Sequence, residues 1–443
     1  MSEISRYLPA GRQAHEVTNS MQRLIDLAKT KTSTNILINT VGTYFGVFTT
    51  IVYFLALARY FSKPEMAVYS VLFAIANVLA NFFDLGVNAS IYANLPHFVH
   101  NRVQTMEFVK SNVIFQTGIA FIALSILWLF IPIINTDLLH LNTTYNNYFW
   151  TFVSVFFFMW QNTILNSLFA REQFVYANIA QTIANVSKIG LVLILMYFQK
   201  LTVTNTIIVL GVFGQVLFIL CILIKQRSLL VDFIRAPINR ADIRLRYMGT
   251  YFIATQAFTL ASRLDLFMIA HYLPLERVGE YSIAQKIILN IITTVNSITQ
   301  VVSPQFAKVK SRLEITQLIK HSLTYILLPA GVFAAAVITP DFIYTLVLSE
   351  KWTHAIGITR ALSGIYIFYT ILNIPLLFFL YTIKKPVYIL VINLIFLSIM
   401  AFGNYLLIPI YGVYGPTIAM ALAMGVVGVF TIFSLKRELA SLT

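Results

Sequence analysis

The stretch RLDLFMIAHYLPLERVGEYSIAQK, residues 263–286, decides the fold. It leaves one apolar span, turns through Pro274, Glu276 and Gly279, and enters the next. Arg263, Asp265 and Lys286 fall inside the apolar parts, where an ionisable group is costly and marks either a working site or a paired one. An earlier stretch echoes it. Ala58–Ser70 reads ARYFSKPEMAVYS and Ala270–Ser282 reads AHYLPLERVGEYS, with Ala, Tyr, Tyr and Ser in register 212 residues apart. Val175-Tyr176 and Val387-Tyr388 share that offset, which is close to half of the 443 residues and points to a duplicated architecture.

Composition agrees with a membrane reading. Hydrophobic residues make up 58% and charged residues 11%, with a mean hydropathy of +0.78; a soluble domain carries about a quarter charged residues. Twelve apolar segments, each near the ~20 residues that cross a bilayer, lie at about 35–60, 66–94, 106–132, 147–170, 173–198, 203–225, 243–272, 278–303, 317–338, 354–382, 386–409 and 414–435. The fold class expected is an all-α integral membrane protein of about twelve transmembrane helices in two pseudo-symmetric six-helix bundles. Residues 1–33 form a polar N-terminal segment in which Val17, Met21, Leu24, Ile25 and Ala28 recur on one helical face, as in a helix lying along a membrane surface. Residues 34–225 form the first bundle, 226–246 a basic linker, 247–436 the second bundle and 437–443 a tail.

The net charge of +14 reports topology. Outside the spans, only Arg59, Lys63, Lys200, Arg277 and Lys351 fall on the side opposite the termini, and the other basic residues fall on the side of the termini. Basic loops stay cytoplasmic, so both termini are expected in the cytoplasm, with the first span acting as an internal signal. Lone Cys221 lies in a span and allows neither an internal disulfide nor a thiolate metal centre. The seven histidines show no metal-ligand spacing, and no phosphate-binding glycine loop with lysine occurs, so neither a metal nor another cofactor is expected.

Four bases remain within spans: Lys188, Arg263, Lys286 and Arg360. From a helix rise of about 1.5 Å per residue, all four and Asp265 lie in the half of the membrane away from the termini. Asp265 and Lys286 lie at matching depth on adjacent spans and are expected either to pair or to divide between structure and site. One acid cannot neutralise four bases, so the remaining cations should face a wet cavity or an anion. Asn185 and Gln181 share a helical face with Lys188 and extend that lining with amides. Arg360 has the alternative of reaching back to the interface. Asp84, near Asn77, Asn81 and Gly86, is read as a helix-end structural acid or, with Asp265, as a proton- or sodium-coupling group. Arg59 reads as an interfacial anchor and Glu280 as a carboxylate favouring a helix N-terminus.

At these residues the chain resembles the Wzx-like polysaccharide flippases, the polysaccharide transporter branch of the MOP superfamily. Arg59-Tyr-Phe-Ser-Lys63, Tyr69-Ser70 and Phe83-Asp84-Leu85-Gly86 carry the resemblance in the first half. Asp265, Gly279-Glu-Tyr281-Ser282, Ala284, Lys286 and Ser303-Pro304 carry it in the second, with Gly412-Val-Tyr-Gly415-Pro-Thr-Ile-Ala419 in the last span. After Arg59, Phe61-Ser62-Lys63-Pro64 departs from the Leu-Gly-Pro-like turn of that family. The resemblance implies a V-shaped pair of bundles around a central cavity, worked by alternating access. It implies a polyprenyl-pyrophosphate-linked glycan as substrate, an inner-membrane location, a role in O-antigen- or capsule-type synthesis, and polymerase and chain-length proteins as partners. A multidrug cation exporter is the second reading, disfavoured because the first span has no acid. A membrane enzyme or polymerase on lipid-linked sugars is the third, disfavoured because the connections near 135–146 and 339–353 are short and poor in arginine and carboxylate pairs.

Overall fold

The computed structural model describes residues 31–98, 101–171, 173–306, 309, 311–385 and 387–441; the N-terminal surface helix expected near Val17–Ala28 lies outside them. Each of the twelve apolar segments is helical. The first six are α1 Lys31–Tyr60, α2 Lys63–Phe82, α3 Arg102–Leu129, α4 Tyr145–Ala170, α5 Phe174–Tyr197 and α6 Val203–Lys225. The second six are α7 Leu245–Tyr272, α8 Leu275–Phe306, α9 Arg312–Ile338, α10 Thr353–Leu377, α11 Val387–Tyr411 and α12 Gly415–Ala440. Among the described residues eight helical runs, α11 and α12 counted as one, are long and apolar enough to cross a membrane, and no strand occurs. This is an integral membrane fold.

Local chemistry sets the helix limits. Ser62 and Glu65 form a reciprocal capping box at the start of α2, with Pro64 in its first turn, where a missing N–H is harmless. The second span was expected to run unbroken to residue 94, but it breaks after Phe82. Leu85 (φ 50°) and Gly86 (φ 81°) are left-handed, and a short helix, Val87–Asn94, follows. Asp84 Oδ1 accepts the Asn88 N–H at 3.1 Å and caps that second helix. A Cβ on Gly86 would meet the Met248 carbonyl oxygen of α7, so this turn needs glycine for space as well as for φ.

The duplicated turns meet each other. α1–α2 and α7–α8 lie at the same end of the molecule, and one hydrophobic core runs through both: Phe54, Leu57, Phe61 and Tyr69 with Leu266, Ile269, Tyr281 and Ile288. Trp352, fully buried, donates from Nε1 to the Ala58 carbonyl at 2.7 Å, and Lys351 Nζ donates to the carbonyls of Arg59 (2.9 Å) and Phe61 (2.6 Å). Arg59 is therefore more than an interfacial anchor. Its guanidinium donates to Leu346 O at 2.7 Å and Val347 O at 3.3 Å, in the other half of the chain. Glu280 is corrected in the same way. It is only 1% exposed, and it holds Lys63 at 2.5 Å across the halves and Arg277 at 3.0 Å, whereas a helix-start carboxylate would face water.

Backbones touch at this seal. A methyl group on Gly279 would overlap the Lys63 carbonyl oxygen, a main-chain atom that cannot swing aside. Gly279→Ala is therefore expected to lower the thermal midpoint of the purified chain, by an overpacking penalty of about 1–3 kcal/mol. An unchanged midpoint would contradict so close an approach.

The other end carries the basic connections. Here Gln256 donates to the Asn81 carbonyl at 3.1 Å and Phe82 meets Phe252 edge-on at 4.9 Å, so the end of α2 packs on α7. The turn between α4 and α5 is closed by Arg171 N–H and Gln173 N–H, both donating to the Leu168 carbonyl. The linker between the halves contains a short helix, Arg227–Arg235, whose last carbonyls accept from Lys110 of α3.

Candidate functional site: a cationic cavity between the two bundles

Below the sealed turns, α1, α2, α4, α5 and α6 of the first bundle and α7, α8, α10, α11 and α12 of the second line a cavity of about 760 Å³. It extends to Phe169 and Asn178, at the basic ends of α4 and α5. Its polar lining is cationic and amide. Lys188, Arg263 and Lys286 reach it from three helices, and no Asp or Glu is among its described lining residues. A smaller recess of about 90 Å³ continues it toward the seal, past Tyr69, Ser70 and Gln285.

Lys188 arrives through a small-residue notch. A Cβ on Gly214 would overlap its aliphatic chain, so α6 makes room for α5 at this point. That notch follows a π-helical turn, Ile208–Phe213, which shifts the register of α6 just before the Gly214 and Gln215 positions. The ammonium donates to Asn185 Oδ1 at 3.4 Å, and Gln181 accepts from Gln161 at 3.5 Å on the same wall. Lys286 lies over the Phe73 ring, 5.9 Å from its centroid. Neither lysine has a carboxylate partner among the described residues, and Arg263 has neither an ion pair nor a hydrogen bond among them.

Asp265 does not pair with Lys286. Its carboxylate is 2% exposed and is saturated by the Tyr281 hydroxyl (2.5 Å), the Gln285 amide (2.9 Å to each oxygen) and the Leu266 N–H (2.7 Å). A buried carboxylate with four neutral hydrogen bonds is satisfied without a cation. The acid thus fastens α7 to α8 and leaves Arg263 and Lys286 to the cavity.

Arg360 is also reassigned. It donates to the Thr339 carbonyl at 2.6 Å, bridges to Asp341 at 2.6 Å and covers the Tyr344 ring. The short helix Asp341–Leu348 folds back over α10 and brings that acid to it, so Arg360 stands outside the cavity. Asp84, bound to the Asn88 N–H, is outside it as well.

Of the residues singled out in the spans, Lys188, Arg263, Lys286, Asn185 and Gln181 line this one cavity. Other lining groups escaped the sequence reading: Gln161, Gln215, Tyr53, Tyr366 and Tyr369. Gln215 had a signal, as an amide in the middle of the most apolar span. Its Oε1 is buried and has no hydrogen-bond partner among the described residues, an acceptor without a donor at the cavity wall. Tyr366 and Tyr369, three apart on α10, add two hydroxyls.

Two six-helix halves around a central polar cavity define the class: this is the fold of MOP-superfamily transporters. Among solved structures, the lipid II flippase MurJ in an inward closed conformation superposes with a TM-score of 0.70 at 15% identity, covering 90% of this chain and 87% of its own. An inward-facing multidrug resistance MATE family transporter gives 0.68 at 12% identity, over 92% and 98% of the two chains. A MOP superfamily transporter from Pyrococcus furiosus, described as having a binding pocket of reverse polarity, gives 0.62 at 12% identity over 92% and 96%. The family model for polysaccharide biosynthesis proteins matches residues 33–310, and the chain belongs to that family. Comparison with curated proteins finds no match.

Proposed function

We propose that the chain is a flippase for polyprenyl-pyrophosphate-linked oligosaccharides, taking the anionic head from the basic end and releasing it at the other by alternating access. One observation carries this: three cations with no acid among them line a cavity between two bundles that are sealed together at the opposite end. A buried cation without a partner is tolerated where water or an anion reaches it. Arginine offers a planar fork to phosphate oxygens, and the lysines add point charges. The amides and tyrosines around them suit sugar hydroxyls, and the unpartnered Gln215 oxygen is an acceptor waiting for one.

The same electrostatics argue against an exporter of organic cations, because a cation would meet like charge with no carboxylate to hold it. The distribution of basic loops supports a cytoplasmic basic end, and in this reading the head enters from the cytoplasm of the inner membrane and emerges at the outer leaflet. Surface polysaccharide polymerases and their chain-length partners would consume the product. Proton or sodium coupling would then act through groups outside the cavity, Asp265 being the one that joins α7 to α8 directly above it.

Equilibrium binding to the chain in lipid nanodiscs tests the substrate class. A polyprenyl-pyrophosphate glycan is expected to bind saturably and tetraphenylphosphonium weakly. Lys188→Ala should weaken the first by ~10-fold or more, since a hydrogen bond to a charged group contributes about 1.5–3 kcal/mol. Tight binding of the organic cation without binding of the pyrophosphate lipid would overturn the reading.

A further inference from the structure

A second concave surface lies on the outside of the first bundle. An apolar groove of about 690 Å³ runs between α3, α4 and α6, past Val113, Phe121, Trp160, Ile164 and Ile219, and ends against Phe233 of the linker helix. It is separate from the transport cavity. On α4, Trp160, Ile164, Ser167 and Arg171 face the groove, whereas Gln161, Leu165 and Phe169 face the cavity. From Met106 to Phe121 the groove follows α3 for about 22 Å, longer than the ~15 Å of one leaflet's hydrocarbon.

The mouth of the groove, at the basic end, is charged. Arg171 Nε donates to the Ser167 carbonyl of its own helix at 3.2 Å, and its guanidinium meets no carboxylate among the described residues. The neighbouring cation at this end is committed elsewhere: Arg102 is ion-paired with Asp232 of the linker helix. One guanidinium with no carboxylate partner among the described residues thus stands at headgroup level over a chain-length apolar groove.

We infer that this groove holds an anionic phospholipid of the leaflet at the basic end, with an acyl chain along α3, α4 and α6 and the headgroup phosphate on Arg171. The apolar walls accept any acyl chain, and the guanidinium favours a headgroup whose phosphate charge no ammonium offsets. The occupant is a membrane lipid because a free phosphate would leave the groove empty. The lipid contacts both the first bundle and, through Phe233, the helix that leads to the second, so its occupancy steadies the connection between the halves.

Thermal unfolding of the full purified chain in detergent, titrated with phosphatidylglycerol or phosphatidylcholine, tests the assignment. The wild type should be stabilised at lower concentrations of phosphatidylglycerol than of phosphatidylcholine. Arg171→Gln should raise the half-maximal phosphatidylglycerol concentration on the order of tenfold, through loss of one charge-assisted contact, and that of phosphatidylcholine, whose phosphate charge is offset by its own ammonium, by much less. Arg171→Lys should keep the preference. Gly118 lines the groove, and a Cβ there meets no other atom within 4 Å. Gly118→Leu should therefore fold and blunt the response to both lipids. Equal stabilisation of the wild type by the two lipids, or an undiminished phosphatidylglycerol preference in Arg171→Gln, would overturn the proposal.

Discussion

Arg263→Ala is expected to reduce glycan translocation by roughly 100-fold or more while leaving the protein folded, each hydrogen bond between charged groups contributing about 1.5–3 kcal/mol and a fork on phosphate making two. The stability half of this prediction is as informative as the activity half. Most buried arginines are structural, and truncating them strands a partner. Arg263 strands no hydrogen bond, because it makes none among the described residues, and the nearby acid, Asp265, which feels its charge, keeps its contacts with Tyr281, Gln285 and Leu266 without it. Removing an unpaired charge from the membrane interior should leave the thermal midpoint unchanged or raise it. Arg263→Lys should recover part of the activity, since it restores the charge without the fork. Normal activity in the alanine variant, or unfolding in place of inactivity, would contradict the assignment.

Glu280→Gln is expected to release the seal at the other end. The carboxylate is buried and serves two cations, Lys63 from one half and Arg277 from its own. Breaking a buried pair costs about 3–5 kcal/mol. Lys63 and Arg277 are partly exposed and can rehydrate, so the lower figure applies, which corresponds to a shift of roughly 100-fold toward the state open at this end. Ser70 lies in the recess just beneath the seal. A Ser70→Cys reporter, in a background lacking Cys221, should be labelled by an impermeant maleimide far faster in the Glu280→Gln variant, with reagent added from the Arg59 side. An unchanged rate in folded protein would mean that Lys63–Glu280 decorates the seal without holding it.

The sequence carried the helices well and the site only in part, for a physical reason. Apolar run length reports a span directly, and the echo of Ala58–Ser70 in Ala270–Ser282 marked the two turns that meet at the seal. Depth was legible too, because helix rise is fixed. Rotation about each helix axis was not, since successive residues differ by about 100° and only packing selects the direction. Asp265 and Lys286 match in depth, yet Gln285, one residue earlier, faces the acid. Arg360 failed differently: its partner Asp341 belongs to a short helix that folds back from a connection, and no pattern within the span announced it. The break at Leu85–Gly86 was written in the sequence as Asp-Leu-Gly, but the surrounding apolar residues concealed it. Gln161 and the two tyrosines of α10 were missed because isolated polar groups within spans more often join helices than line a cavity.

Translocation in reconstituted vesicles tests the central claim most directly. Vesicles containing the purified chain and a fluorescent polyprenyl-pyrophosphate oligosaccharide would be probed with a membrane-impermeant quencher or glycosidase. The account predicts that the glycan crosses in the presence of the wild-type chain and stays on its own side in Arg263→Ala and Lys188→Ala vesicles of equal protein content. Crossing at the same rate in the variants, or no crossing with a folded wild-type chain, would contradict it.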